Sequence, residues 1–530
     1  MKRQLSVLVA AALAFSLAAC SASPSTSASS AASGTVISAE STEYSLTGAT
    51  AFAFTDSGIT TTKGDYDGYK VDGTTLTISA AGTYVVSGSC ADGSIKIKAD
   101  TDGVILVLNG LDLTSTTTAP IVCGKSTGVT IVAQDGTENA LTDTAANNKD
   151  ADGAGEDAEN AVLKCKDGSQ VVLCGTGTLN IHAVGKNGIK SGTENDGREA
   201  SLTIRELTLN IDAPENDAIN AEQTLNVESG TLNISAGDDA VHCDYTLNIG
   251  AENTAGPVIN ISTCYEGLEG AELNIYSGTI DITATDDCLN AANGDLTDYD
   301  FSMNISGGTI TAYTSGGDGF DSNGTMTISG GSISVWTANT ADNEPLDADG
   351  TITISGGTVL AVGGSVGMGY TIQADQPCVV YGGSVSADSS ISLSKDSAFT
   401  LTDADGNTVY SGTAVCNASF VIYSSADLAA DSDYTLSTGD TQLGSATAQT
   451  DSLTASFGGM GGPGGGNGAP NGMTPPDGTA QAPADGQTPP SGKPGQRPDN
   501  QDGTPPEKPS GDATGTQPQQ AAAQSDTTTV

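Results

Sequence analysis

The chain has 530 residues, enough to bury a large core, yet 68 are glycine and only 4% are aromatic, which fits a turn-rich β fold better than helical packing. Sixty-four acidic residues against 18 basic ones give a formal charge of −46. That balance argues against nucleic acid or an anionic lipid surface as a direct partner and favours cations, or ligands reached through them.

At the N-terminus, Lys2 and Arg3 precede an apolar run from Leu5 to Ala19 that ends Leu17-Ala-Ala-Cys20. Residues 1–20 read as a secretory signal of the bacterial lipoprotein kind, too short for a stable membrane span. Cys20 would become the lipidated first residue, anchoring an extracellular protein to the bacterial cell membrane. Residues 21–35 form a Ser/Ala tether. A β cap is expected over 36–87.

Residues 88–383 carry a repeat of about 26 residues, clearest from about 170 to 360. The copy from Thr224 to Asp244 reads as strand, Ser-Gly turn, strand, Asp-Asp turn, short strand. Alternate residues are apolar (Leu225 and Val227, Leu232 and Ile234, Ile280 and Ile282), a period of two that means strand. Asn226, Asn233, Asn248, Asn260, Asn274 and Asn304 recur on the outward side. Three short strands per coil describe a parallel β-helix, a solenoid in which each coil covers its neighbour's apolar face. A second cap is expected over 384–447, with a hairpin-like Leu401–Tyr410. The Gly-, Pro- and Gln-rich tail at 457–530 cannot bury a core and is expected to be disordered.

Aligned third strands read Asn187-Gly-Ile-Lys, Asp217-Ala-Ile-Asn, Asp239-Ala-Val-His, Glu266-Gly-Leu-Glu, Asp287-Cys-Leu-Asn, Asp318-Gly-Phe-Asp and Glu344-Pro-Leu-Asp. The first position is acidic from Asp217 to Glu344. Asp238 and Asp286 add an acid just before it; Glu269, Asp321 and Asp347 add one at the fourth position. Stacked carboxylates about 5 Å apart repel by about 3 kcal/mol per unscreened pair at an effective dielectric near 20. No Lys or Arg occurs from Glu206 to Ser394, so no side-chain cation is expected to neutralise the file from within that region. Ca²⁺, which accepts carboxylate, amide and carbonyl oxygens with flexible geometry, is the expected cofactor. The polar fourth-position residues Asn220, His242 and Asn290 stand beside the acids as candidate ligand contacts.

Without Cys20, nine cysteines remain, an odd number with no C-x-x-C spacing, expected as core thiols. Catalysis is not expected. A lyase would need a Lys or Arg base, which this half of the chain lacks. Gly237-Asp-Asp-Ala-Val-His-Cys243 and Thr285-Asp-Asp-Cys-Leu-Asn290 resemble the Asp-Asp turn of polygalacturonases, but the Gly-His-Gly and Arg-Ile-Lys segments of that family are missing. An inverting hydrolase using paired Asp stays open as an alternative, as does a purely structural surface protein or adhesin.

Gly103-Val-Ile-Leu-Val-Leu-Asn-Gly-Leu-Asp-Leu, Val129-Thr-Ile-Val-Ala-Gln-Asp-Gly-Thr-Glu-Asn-Ala-Leu-Thr-Asp143, Gly175-Thr-Gly-Thr-Leu-Asn-Ile181 and the Asp-Asp-Ala-Val and Gly-Asp-Gly-Phe series carry a resemblance. Over residues 75 to 450 the chain resembles secreted bacterial carbohydrate-binding β-helix proteins. The resemblance implies a right-handed, calcium-binding, non-catalytic β-helix that recognises acidic plant-type polysaccharide such as polygalacturonate, and cellulose. Metal would sit at the acidic turns, less so in the early coils where Lys164, Lys186 and Lys190 approach the file. Cellulose would need exposed aromatic platforms, for which Trp336, Tyr313 and Phe320 are the candidates.

Overall fold

The computed structural model describes residues 44–338, 343–364, 369–382 and 391–456. The signal segment with Cys20, the tether, the first residues of the N-terminal cap and the tail at 457–530 lie outside the described residues. Every regular element among those described is a β-strand, and most strands join one large sheet in which parallel pairing dominates.

Through the repeat region each strand pairs in parallel with its counterpart in the next repeat, so equivalent strands form three stacks. The first runs from Glu138–Thr142 through Thr178–His182, Thr208–Ala213, Thr231–Ala236 and onward to Thr358–Gly363. The second runs from Ile121–Cys123 through Ala161–Cys165, Asn187–Ser191 and Ile219–Ala221 to Leu289–Ala291 and Phe320–Ser322. A third runs from Gly128–Ala133 through Gln170–Cys174, Ser201–Ile204 and Thr224–Val227 to Ile352–Ile354 and Gly369–Ala374.

The alternation of apolar residues sets this register. In the first stack Leu179, Leu209, Leu232, Ile259, Ile280, Ile310, Ile333 and Val359 face one another in file, all buried. Each such side chain contributes on the order of 2 kcal/mol of burial. A slip of one residue would turn the file outward and bury asparagine instead, so the register is strongly specified. On the outer face the asparagines hydrogen-bond in ladders. Asn210 donates to Asn180, Asn233 to Asn210 and Asn260 to Asn233, while Asn248 donates to Asn226, Asn274 to Asn248 and Asn304 to Asn274. The turn between stacks needs glycine at Gly230. Its φ is +96°, and a Cβ there would stand 2.5 Å from the Leu207 carbonyl oxygen.

Antiparallel pairs cover both open edges. Thr50–Thr55 pairs with Gly58–Thr62, and Tyr69–Asp72 with Thr75–Ile78. At the far end Phe420–Ser425 lies antiparallel against Thr358–Gly363, and Ser452–Ser456 against Gly369–Ala374. A separate antiparallel sheet of four strands spans Ala398–Thr402, Thr408–Thr413, Asp433–Thr438 and Thr441–Thr447. Its core includes Trp336, which is 3% exposed and edge-on to Phe399. Tyr313 packs against the same cluster. Trp336 is therefore no platform for a sugar, because capping the stack required a large apolar side chain there, while Tyr313 stays partly exposed at its edge.

The cysteines follow the core-thiol expectation. Cys90, Cys123, Cys165, Cys243, Cys264, Cys288, Cys378 and Cys416 are buried thiols, and Cys174 is buried as well.

Candidate functional site

The strands of the second stack begin just after the acidic turns, and the backbone there holds the first-position acids in register. The Asp239 carbonyl accepts from Ala218 N–H, that of Glu266 from Ala240, Asp287 from Gly267, Asp318 from Cys288, and Glu344 from Gly319. The side chains repeat the ladder in part. Asp239 N–H donates to Asp217 Oδ1 at 3.4 Å, Glu266 N–H to Asp239 Oδ1 at 3.2 Å, Asp318 N–H to Asp287 Oδ1 at 2.6 Å and Glu344 N–H to Asp318 Oδ1 at 2.5 Å. One oxygen of each of these carboxylates therefore serves the backbone ladder; the second oxygen of Asp217 accepts from Asn220 Nδ2, and that of Asp239 faces His242.

Beside it runs the fourth-position file, in register from strand to strand: Lys164, Lys190, Asn220, His242, Glu269, Asn290 and Asp321. Leu346 bridges Phe320, which brings Asp347 to the next level. Three groups gather ligand atoms within 4.8 Å of one another: Asp217, Asp238 and Asp239; Asp239, His242 and Glu269; Asp318, Asp321 and Asp347.

The middle group is a salt-bridge network. His242 Nδ1 contacts Glu269 Oε2 and stands 3.4 Å from Asp239 Oδ2, while its Nε2 is 3.0 Å from Asp244 Oδ1. Burial pulls the imidazolium down, but hydrogen bonds to Asp239, Asp244 and Glu269 push it far above its usual range. The expectation that nothing in this region can neutralise the file is corrected here, since His242 supplies a cation where Lys and Arg are absent. Both its ring nitrogens are spent on carboxylates, so it is no free sugar contact.

Asp318, Asp321 and Asp347 have no such cation among the described residues, whereas Asp217, Asp238 and Asp239 share Asp239 with His242, and His242 and Lys186 offset part of their charge. Asp217 is pushed up to about 6 by burial and by Asp239 and Asp238, against a 2.7 Å hydrogen bond from Asn220 Nδ2. Asp318 is raised to about 7 and Asp321 to about 6, each by burial first, with Asp347 and other acids adding to it. Burial also raises Asp238 and Asp347. Between the groups, burial and neighbouring carboxylates carry Glu266 and Asp287 to about 8.

Other expected residues land differently. Asn220 is fully engaged, donating to Asp217 and accepting from Lys190 Nζ at 2.9 Å. Asn290 donates to Glu266 Oε2 at 2.9 Å, but its Oδ1 is buried without a partner, one strand from Asp321. Glu344 is buried behind Asp318. Asp286 hydrogen-bonds the Tyr265 hydroxyl, which is pushed up to about 12 by that bond and by burial. Phe320, a candidate ligand contact, is 0% exposed, because it fills the inward position between Leu289 and Leu346. Tyr265, which the sequence reading passed over, is 47% exposed immediately before Glu266. The signal was an aromatic at a turn position where neighbouring repeats carry small or acidic residues.

The donor set of Asp318, Asp321 and Asp347 fits a hard cation: carboxylate oxygens in a cluster, no cation paired with them among the described residues, and the orphaned Asn290 Oδ1 nearby; Asp217, Asp238 and Asp239 offer a similar carboxylate cluster, with His242 and Lys186 offsetting part of its charge. In the earlier repeats the fit fails, since Lys190 Nζ is 2.8 Å from Glu222 and Lys186 pairs with Asp150.

Residues 72–254 match the family model described as carbohydrate-binding domain-containing protein. A relative of that description from Acetivibrio thermocellus is 33% identical over 131 residues, 24% of this chain and 44% of its own length. The chain thus spans less than half of the curated relative it matches. Over this stretch it is similar to carbohydrate-binding proteins. A solved structure, described as the polysaccharide lyase-like protein from C. thermocellum in a gadolinium derivative, shares 20% identity over 57% of this chain and 96% of that one, with a TM-score of 0.34.

Proposed function

We propose that the protein is a right-handed parallel β-helix that binds acidic, pectin-like polysaccharide outside the cell without cleaving it, using Ca²⁺ held along its acidic edge. The likeness to carbohydrate-binding proteins supports the polysaccharide. Three strands per repeat, each paired with the next repeat, are what a β-helix produces, and right-handed crossovers between parallel strands are the overwhelming rule. The carrying observation for calcium is the cluster of Asp318, Asp321 and Asp347, with acids pushed up by burial and no cationic partner among the described residues.

Asp217, Asp238 and Asp239 would hold one ion, and Asp318, Asp321 and Asp347 another. A bound Ca²⁺ supplies positive charge between protein carboxylates and open coordination positions that uronate oxygens can fill. The chain's own part is to hold one oxygen of Asp217, Asp239, Asp287 and Asp318 on the backbone ladder, which fixes where each carboxylate stands before an ion arrives. Cys20 would tether the assembly to the membrane through lipid.

Retention on immobilised polygalacturonate in calcium, abolished by chelator, is the expected result. Equal retention in both refutes the calcium bridge.

One observation favours an enzyme. Lys190, a candidate base, reaches the Asp217 cluster through Asn220. The same ammonium is held by Glu222, which argues against that role. Release of unsaturated uronides or new reducing ends from polygalacturonate would overturn the non-catalytic reading.

A further inference from the structure

A second site lies on another face. Directly after the third-stack strands come Arg205, Glu228, Gly250 and Tyr276, whose N–H groups donate to the carbonyls of Leu173, Ile204, Val227 and Ile249 in the preceding repeats. They therefore form a file of their own: cation, acid, gap, aromatic. Glu228 and Tyr276 are two levels apart, about 10 Å at the spacing of paired strands, and Gly250 places no side chain between them. The gap is enforced. Gly250 has φ +70°, and a Cβ there would meet Ser277 Oγ at 2.2 Å.

The result is a cavity of about 570 Å³ lined by these residues together with Asn226, Asn248, Glu252 and Thr254. Its wall is a tied loop. Ser277 Oγ donates to the Ala251 carbonyl at 3.0 Å and accepts from Ala251 N–H at 3.2 Å, and Thr254 Oγ1 donates to Ala251 at 2.8 Å. Arg205 Nη1 is 3.4 Å from Glu228 Oε2, a long contact that sets donors beside an acceptor.

We infer that this cavity binds one neutral pyranose unit of a saccharide, independently of calcium. A half-buried tyrosine offers a face for the apolar side of a sugar ring. The Arg205–Glu228 pair offers a donor and an acceptor for adjacent hydroxyls, and the Asn226 and Asn248 amides extend that edge. The size suits a small ligand. Glu228 offsets the charge of Arg205 and Glu252 adds a further negative charge, so the lining is net negative and disfavours a uronate carboxylate; the ligand is a neutral hexose, unlike the acidic polymer proposed for the other edge.

The test is calorimetric titration of the full chain, in chelator, with neutral gluco-, galacto- and manno-hexasaccharides and with trigalacturonate. The expected result is binding of at least one neutral hexasaccharide and none of trigalacturonate. Tyr276→Ala weakens it roughly tenfold or more, Tyr276→Phe leaves it unchanged, and Asp318→Asn leaves it unchanged. Glu228→Gln admits trigalacturonate. Thermal melting of each variant separates a lost site from a lost fold. Absence of binding by every neutral saccharide overturns the inference, as does full binding by a folded Tyr276→Ala. Because chelator is present throughout, failure of the calcium edge leaves this outcome untouched.

Discussion

The fourth-position file solves one electrostatic problem in two ways. In the early repeats Lys164 and Lys190 stand in register, and Lys190 pairs with Glu222 and hydrogen-bonds Asn220. Three levels on, the same position holds Glu269, then Asn290 and Asp321, and the acids of the first file stand beside them with no ammonium in reach. Identical backbone geometry thus carries a self-neutralised edge at one end and an uncompensated one at the other. His242 is the boundary, holding Asp239, Asp244 and Glu269 by itself. A repeat fold fixes where side chains stack; the residue type at each level decides whether the chain or the solvent supplies the counter-charge.

Removing the boundary should have the largest effect. His242→Leu leaves three carboxylates around an apolar side chain, and breaking a buried pair in this way costs about 3–5 kcal/mol. The expected outcome is a markedly lower denaturation midpoint in chelator, partly restored by calcium. A midpoint equal to wild type would show that the imidazolium is not the counter-charge.

Next comes pH. Glu266 and Asp287, raised to about 8, and Asp318, raised to about 7, bind protons in the folded chain that they release when unfolded above pH 4 to 5. Their contribution is fully present below the unfolded values and is lost as pH rises through the folded ones. In chelator, melting temperature should therefore fall between about pH 5 and pH 8, each pKa unit being worth about 1.4 kcal/mol. Calcium, by replacing protons between the carboxylates, should flatten that slope and be bound more tightly as pH rises. A slope that calcium leaves unaltered would break the contrast.

A smaller effect is expected from moving the early solution into the later repeats. Asp321→Lys places an ammonium among Asp318 and Asp347 and should abolish one class of calcium site, read by titration, while leaving stability in chelator equal or higher. Asp321→Asn should weaken calcium at that class by roughly tenfold, a loss of about 1.4 kcal/mol. The smallest is Lys190→Met, a partly exposed pair worth up to about 1 kcal/mol, with no change in calcium binding at the later repeats.

The alternation of Leu, Ile and Val was enough to read strands, their inward faces and the repeat, because a period of two leaves one register that buries the apolar set. The in-file acids were legible for the same reason, since equal spacing in sequence becomes adjacency when strands stack. What the one-dimensional pattern could not say is what each polar atom does once stacked. Phe320 looked available and is sealed in the core, while His242 looked like a ligand contact and is instead tied to three acids. Tyr276, spaced like any residue after a strand, gains meaning only because Gly250 leaves the level beneath it open. Hydrophobic periodicity is a property of neighbours along the chain. Hydrogen-bond saturation, burial of charge and the gaps between levels are properties of neighbours across it, which only the tertiary structure brings together.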